Sequence, residues 1–417
     1  MLHRAAATLL LAASALGAGS CSVFHRDQRS TFTLPSTLAV DDPAFLRSLD
    51  TFGSVMVRGN AADLLENGDG VFPAMLEDLR KAERSVCLET YIFTPDEAGR
   101  LFKDALIEAS RRGVQVRFLV DDLGSKLGDF RAELEAAGVK VREYRPIHKY
   151  GYFTRRTHRK LLVVDGKIGY TGGFCIDRRW LGNARDKSEW HDSTVRVTGP
   201  VVAQMQAIFG EDWTFTTGEI LAGEPSYPKL EPTGSMLAQA IKTSKGDASS
   251  LPKILYFMAI EGSRTSIHIQ NPYFLPDKQI RTALIEAARR GVGVKVMVPG
   301  SHIDIPMVRM ASRHDFGPLL QGGVRIFEYQ PTMMHSKTLV VDGIFSTIGS
   351  INFDARSMSK NAEVSLSSYD RSFAGALEAM FERDLELCHE VTYDAWKNRG
   401  AGARFAEMWS RFFKPLY

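Results

Sequence analysis

Cysteine is scarce in this chain and forms no pattern. The 417 residues hold four, Cys21, Cys87, Cys175 and Cys388, and no two stand at C-x-x-C spacing. That excludes a zinc-ribbon site and a disulfide scaffold. An excess of one charge is also lacking: 52 Lys and Arg face 49 Asp and Glu, a formal charge of +3. A dedicated nucleic-acid binder carries a strong basic excess, so nucleic acid is not the expected partner. There is no Walker A loop, no H-E-x-x-H and no EF-hand loop. Long apolar runs are missing as well. Ala5 to Ala18 runs fourteen residues without a charge, and the uncharged stretch continues to Phe24 diluted by Gly and Ser. A spanning helix needs roughly twenty apolar residues. What is present is an ordinary globular balance, 44% hydrophobic and 24% charged, which excludes disordered, collagen-like and coiled-coil chains.

The N-terminus reads as a processing segment. An arginine, a fourteen-residue uncharged run and the small residues Gly17 to Ser20 precede Cys21. Residues 1–20 suit a signal peptide, and small residues before a cysteine resemble a bacterial lipobox, in which that cysteine is acylated. Ala18 stands where Leu is usual. Lipidation at Cys21, plain secretion and an uncleaved anchor are the alternatives. The first makes residues 21–52 a tether and places the protein in the bacterial cell envelope. No later stretch is long and apolar enough to add a span.

The rest is one unit written twice. Residues 105–120, ALIEASRRGVQVRFLV, answer residues 283–298, ALIEAARRGVGVKVMV. Each has helical spacing to a glycine C-cap, Gly113 or Gly291, and then alternates at period two. Upstream, Cys87–Phe93 and Ile267–Phe274 read as strands, each leading into a Pro-Asp helix start. Downstream, residues 138–146 match 323–331. The offset drifts between 177 and 185 residues because loops differ. Strands alternating with helices predict an α/β fold of two fused, pseudo-twofold domains, each a mixed sheet flanked by helices, with a site at their interface. The expected boundaries are 53–216 and 253–390. A Gly-, Pro- and Ser-rich linker covers 217–252 and a helical tail covers 391–417.

The chemistry stands at the end of each repeat. His158 and Lys160 precede an apolar run closed by Asp165-Gly166; His335 and Lys337 precede one closed by Asp342-Gly343. Positions i and i+2 of an extended segment share a face, so an imidazole and an ammonium are presented together. A pseudo-twofold axis would bring both pairs around one pocket. Two imidazoles and two ammonium groups suit phosphodiester chemistry: one ring attacks phosphorus, the other protonates the leaving alcohol, and the cations hold the developing charge.

H-x-K-x-x-x-x-D-G in two copies resembles the phospholipase D superfamily over roughly residues 53–390. The second copy is the fuller, with Gly349, Ser350, Asn352, Asp354, Arg356, Ser357, Asn361 and Glu363 following His335, Lys337 and Asp342. The resemblance implies that Lys337, Ser350 and Asn352 hold phosphate oxygens and that Glu363 orients a catalytic imidazole. In the first copy Asp192 takes the place of that orienting acid. Gly173 and Cys175 stand where Ser and Asn would be. Asp165 and Asp342 belong to the motif but are expected to support the fold more than to carry protons. Glu89 and Tyr91 also match.

Segments between the motifs, such as Leu88–Phe93, Arg156–Lys160 and Tyr329–His335, resemble the bacterial cardiolipin synthase branch. That resemblance implies transphosphatidylation through a phosphohistidine, anionic phospholipids at a membrane surface as partners, and no cofactor or metal. A hydrolytic phospholipase D shares every one of these residues. A nucleic-acid phosphodiesterase or a silent binding protein on the same fold is the remaining reading. Met333, Met334, Tyr150, Tyr152 and Phe153 are candidates to line a lipid entry. The five Lys or Arg of residues 147–160, with no acid among them, are candidates for head-group contact.

Overall fold

The computed structural model describes residues 32–34, 38–51, 54–146, 155–243 and 251–410. Contacts divide the chain into Met1–Thr33 and Leu34–Tyr417, and every element discussed below belongs to the second unit. The expectations for residues 1–20, Cys21, Tyr150, Tyr152 and Phe153 lie outside the described residues.

The first repeat carries β1 (Val57–Glu66), β2 (Ser85–Thr90), β3 (Gln115–Asp121), β4 (Lys140–Tyr144), β5 (Leu161–Val164), β6 (Ile168–Gly172) and β7 (Ser193–Thr198). The second carries β8 (Met236–Thr243), β9 (Ser266–Gln270), β10 (Gly293–Pro299), β11 (Arg325–Tyr329), β12 (Thr338–Val341), β13 (Phe345–Gly349) and β14 (Glu363–Tyr369), and β15 (Cys388–Val391) follows. All fifteen form one mixed sheet in the order β15-β11-β10-β9-β12-β13-β14-β8-β1-β7-β6-β5-β2-β3-β4. Each half has the same strand order, counted outward from the central β1–β8 pair. That pair is antiparallel and joins the two halves. Within each half three strands run parallel, β2-β3-β4 and β9-β10-β11. Parallel strands need crossover helices, which cover the sheet.

The helix starts read from sequence are present. Asp96 caps Glu97–Arg111 through Gly99 N–H, and Asp277 caps Lys278–Arg289 through Gln279 and Ile280 N–H. Gly113 and Gly291 follow those helices at φ +90° and +94°, backbone that glycine adopts without a Cβ penalty. Two elements were not foreseen. β8 lies within the stretch 217–252 expected as a linker, and its Pro- and Gly-rich approach hid the alternation of Met236–Thr243. Where the second domain was expected to pass into the helical tail, Cys388–Val391 pairs antiparallel with β11 as an edge strand.

Apolar side chains of both halves meet in one core beneath the helices Val202–Thr217 and Arg371–Leu385. It includes Val195, Val197, Met205 and Ile208 from the first repeat and Val340, Ile348, Leu366 and Leu377 from the second. Burial of that surface, at about 25 cal/mol per Å², fixes the halves in register across the sheet. Among the described residues no helix is long and apolar enough to cross a membrane.

Candidate active site

The strands that carry the motifs begin at Leu161 and Thr338, so each His–Lys pair sits just ahead of its strand rather than within it. The reason is main-chain pairing across the halves. His158 N–H donates to Ala362 O at 2.8 Å, and His335 N–H donates to His191 O at 2.7 Å. Thr157 bridges Ala362, and Met334 bridges His191. Each histidine is thereby laid beside the residue that precedes the other repeat's acid.

The side chains pair in the same crossed manner. His158 Nδ1 lies 2.9 Å from Glu363 Oε2, and His335 Nδ1 lies 2.8 Å from Asp192 Oδ2. A carboxylate accepts only, so both rings carry their proton on Nδ1 and leave Nε2 bare. Burial pushes His158 down to about 4 against the pull of Glu363, with Lys160 and Lys337 adding to the drop. Burial and Lys337 push His335 down to about 3, against Asp192. Each imidazole thus feels both ammonium groups, which places the four residues in one electrostatic neighbourhood.

Lys160 Nζ donates to His158 O at 2.8 Å, and Lys337 Nζ donates to His335 O. Burial brings Lys337 down to about 7. For Glu363, burial acts to raise the pKa, but His158 and Lys160 hold it below the ordinary value. Asp192 is likewise lowered, with His335 and Lys337 overcoming its burial.

The supporting shell differs between the halves. Ser350 Oγ donates to Glu363 Oε2 at 2.6 Å and is held by Val364 N–H at 3.0 Å. It braces the acid, where a phosphate contact was expected. Gly173 occupies the matching place, and a Cβ there would lie 2.2 Å from Asp192 Oδ1, so serine has no room. The missing hydroxyl is replaced by Trp180, whose Nε1–H donates to Asp192 Oδ2 at 2.8 Å, while Ser193 N–H holds Oδ1 at 2.8 Å. Trp180 and Trp190 pack on His335 at 5.4 and 5.2 Å, and Tyr91 packs on His158 at 5.0 Å. Sequence reading missed the two tryptophans as ring contacts; the aromatic pair flanking nine mostly polar residues, 181–189, before Asp192 was the available signal.

Asn352 is buried, its Nδ2 3.5 Å from Ser357 Oγ, and its Oδ1 has no protein partner. Cys175 is buried in the apolar core of the first repeat. Asp165 and Asp342 are not part of the cluster. The Asp165 carboxylate accepts from the N–H groups of Glu83, Arg84 and Ser85. Asp342 accepts from Arg264, Thr265 and Ser266. Both stand at the far ends of β5 and β12, where they fasten the turn to the start of β2 or β9. Glu89 is buried with its carboxyl 2.5 Å from Thr157 Oγ1 and raised well above the ordinary range by burial and Asp212.

Of the basic residues on either side of His158, Arg156 pairs with buried Asp121 at 3.0 Å and Arg159 with Asp212 at 2.7 Å. They are internal struts, not head-group contacts. Met333 and Met334 are core residues at 3% and 0% exposure. Cys87 and Cys388 are free, with thiols pushed up to about 11 and about 12 by burial.

Comparison with known proteins gives a consistent result. Residues 75–213 and 256–385 match the family described as "Cardiolipin synthase, PLD-like domain". A probable cardiolipin synthase of Bacillus subtilis is 35% identical over 360 residues, 85% of this chain and 71% of the relative. Cardiolipin synthase of Oceanobacillus iheyensis is 33% identical over 389 residues, 92% of this chain and 81% of the relative. Among solved structures, a phosphatidylserine synthase of Haemophilus influenzae superposes with a TM-score of 0.68 at 13% identity, covering 89% of this chain and 98% of that one. At that identity the likeness is one of fold.

Proposed function

Because the chain belongs to the family of cardiolipin synthase, PLD-like domains, we propose that it is a phosphatidyltransferase of cardiolipin synthase type, joining two phosphatidylglycerols into cardiolipin and glycerol. The observation that carries the reading is the crossed pairing of His158 with Glu363 and His335 with Asp192.

Each bare Nε2 is a nucleophile or base. An anionic phosphodiester entering between the rings raises the affinity of both for protons. One ring, which we assign as His158, attacks phosphorus while His335, protonated, delivers its proton to the departing glycerol oxygen as the P–O bond breaks. His335 then takes the proton from the glycerol hydroxyl of a second lipid, whose oxygen attacks the phosphohistidine and breaks the P–N bond. Lys160 and Lys337 each give one of three donors to a main-chain carbonyl; the others suit the phosphorane oxygens. Alcohol outcompetes water only where the site is dry, which the burial of both rings favours. Anionic phospholipids at a membrane surface are the partners this reading requires, and lipidation of Cys21 would hold the enzyme there.

The purified protein, incubated with labelled phosphatidylglycerol in EDTA, is expected to form cardiolipin and glycerol. Substitution His158→Ala or His335→Ala should reduce turnover by at least about 10³-fold. Accumulation of phosphatidic acid alone would establish the hydrolytic alternative, and activity abolished by EDTA would refute chemistry by the four side chains alone.

A further inference from the structure

His191 stands one residue before Asp192 and takes no part in the chemistry above. Its ring is 3% exposed and stacks on Tyr329 at 5.2 Å and 21°. Nδ1 lies 2.9 Å from Asn67 Oδ1 and Nε2 lies 2.7 Å from Asp384 Oδ2. The direction of the Asn67 amide is set independently, because Asp192 N–H donates to the same Oδ1 at 3.3 Å. Asp384 Oδ2 also accepts from Gln270 Nε2 at 2.6 Å, and that amide is fixed by Thr338 Oγ1 donating to Gln270 Oε1 at 3.2 Å. Both ring nitrogens therefore face acceptors, a pairing that only an imidazolium satisfies at both ends.

The tie crosses the halves. Asn67 and His191 belong to the first repeat; Gln270 and Asp384 belong to the second. The main chain of His191 is also the partner of the catalytic segment, donating to Met333 O at 2.8 Å and accepting from His335 N–H at 2.7 Å. The other half is built differently. The residue before Glu363 is Ala362, which has no side-chain anchor. The helix acid there, Asp212, is held by Arg159 at 2.7 Å, a cation that does not titrate. One orienting acid is thus steadied by a group that can lose its charge and the other is not.

We propose that His191 is a positioning residue for His335: as an imidazolium it fastens Asp192 to the second repeat through Asp384, and its deprotonation loosens that acid while leaving the Glu363–His158 pair in place. This rests on the site reading above but not on the identity of the lipid. The groups facing the ring are Asp384, Glu66 with its partner Arg383, Asp192, Tyr329, and Cys388, whose thiol donates to Asp384 O at 3.2 Å. Burial opposes the charge, but Asp384, Asp192 and Glu66 override it and raise the pKa above the ordinary imidazole value. A raised folded value means the tie is complete below the ordinary histidine pKa and is lost as pH rises through the shifted one. His191 therefore adds a step of its own to the alkaline limb of the rate, beside the loss of charge at Lys337.

Two measurements test this. Protein labelled with ¹⁵N-histidine should show at pH 7 an imidazolium signal that disappears in His191→Gln; a neutral ring at that position would overturn the proposal. Turnover of a chromogenic phosphodiester, followed from pH 6 to 10, should fall about tenfold in kcat with little change in KM in His191→Gln, and the alkaline limb should lose the step that His191 contributes while keeping that of Lys337. His191→Arg, which keeps a cation at every pH, should recover activity to within about threefold and extend it to higher pH. A His191→Gln profile parallel to the parent, or an Arg variant as impaired as Gln, would defeat the positioning role. If the chromogenic ester shows these effects while phosphatidylglycerol yields no cardiolipin, the lipid assignment fails and the role of His191 stands.

Discussion

His158 and His335 each depend on an acid from the other half of the chain, and the geometry says what each acid does. Glu363 and Asp192 are both buried and both face Nδ1. They select the tautomer that leaves Nε2 free and stabilise the ring once it is charged, the role that the acid plays in a hydrolase triad. Glu363→Gln and Asp192→Asn remove that charge while nearly preserving shape. Each should lower kcat by about 10²- to 10⁴-fold with the protein still folded. The distinguishing readout is which half-reaction suffers. With His158 as nucleophile, Glu363→Gln should chiefly slow phosphohistidine formation in a rapid-quench burst, whereas Asp192→Asn, which weakens His335 first as acid and then as base, should also slow breakdown of the phosphohistidine by the second alcohol. An Asp192→Asn variant with parental turnover would show that His335 needs no partner. Trp180 belongs to the same account, since its indole N–H holds the carboxylate that a serine hydroxyl holds in the other repeat.

Among the elements, the two Asp-Gly turns differ in kind from the histidines they accompany in the motif. Asp165 and Gly166 have φ of +53° and +63°, and Asp342 and Gly343 have +52° and +59°, the left-handed pair of a tight hairpin turn. Each aspartate then receives main-chain donors from the segment that opens β2 or β9. Losing such a carboxylate leaves several N–H groups unpartnered, at about 1–3 kcal/mol each when no water reaches them and less at a half-exposed edge. Asp165→Ala and Asp342→Ala should each lower the urea midpoint by an amount equal to about 2–3 kcal/mol, while the folded fraction retains near-parental kcat. A variant fully folded but inactive would move these residues into the chemistry. The repeat was legible at this scale because helix ends, glycine caps and alternating strands recur in the same order at offsets of 177 to 185 residues. The partnering of acids and rings was not. Nothing along the chain tells which imidazole Glu363 serves, because that is decided by the β1–β8 junction that sets one half against the other. The replacement of a serine by Trp180 is hidden for a related reason: it follows from the space that Gly173 leaves for Asp192, which exists only once the turn has closed.

For the molecule as a whole, the site makes the fold sensitive to acid. His158 and His335 are neutral, with side chains 13% and 6% exposed and values lowered to about 4 and about 3; free in an unfolded chain they titrate near 6.5. Between those limits the unfolded state binds more protons, so stability rises with pH and is lost as pH falls from about 6.5 through the folded values. Shifts of about 2.5 and 3.5 pH units correspond to a loss on the order of 3 to 5 kcal/mol per ring, the opposing pull of Glu363 and Asp192 included. Lys337, lowered to about 7, acts in the same direction at higher pH: its unfolded form binds a proton that the folded form releases, so it costs stability at neutral pH. Chemical unfolding followed between pH 4 and pH 8 should therefore show a steep acid decline in the parent. His158→Asn combined with His335→Asn, which cannot titrate, should flatten it by several kcal/mol while abolishing turnover. Equal slopes in the two proteins would mean that the rings are not held neutral in the interior, and the nucleophile and base drawn from them would lose their physical basis.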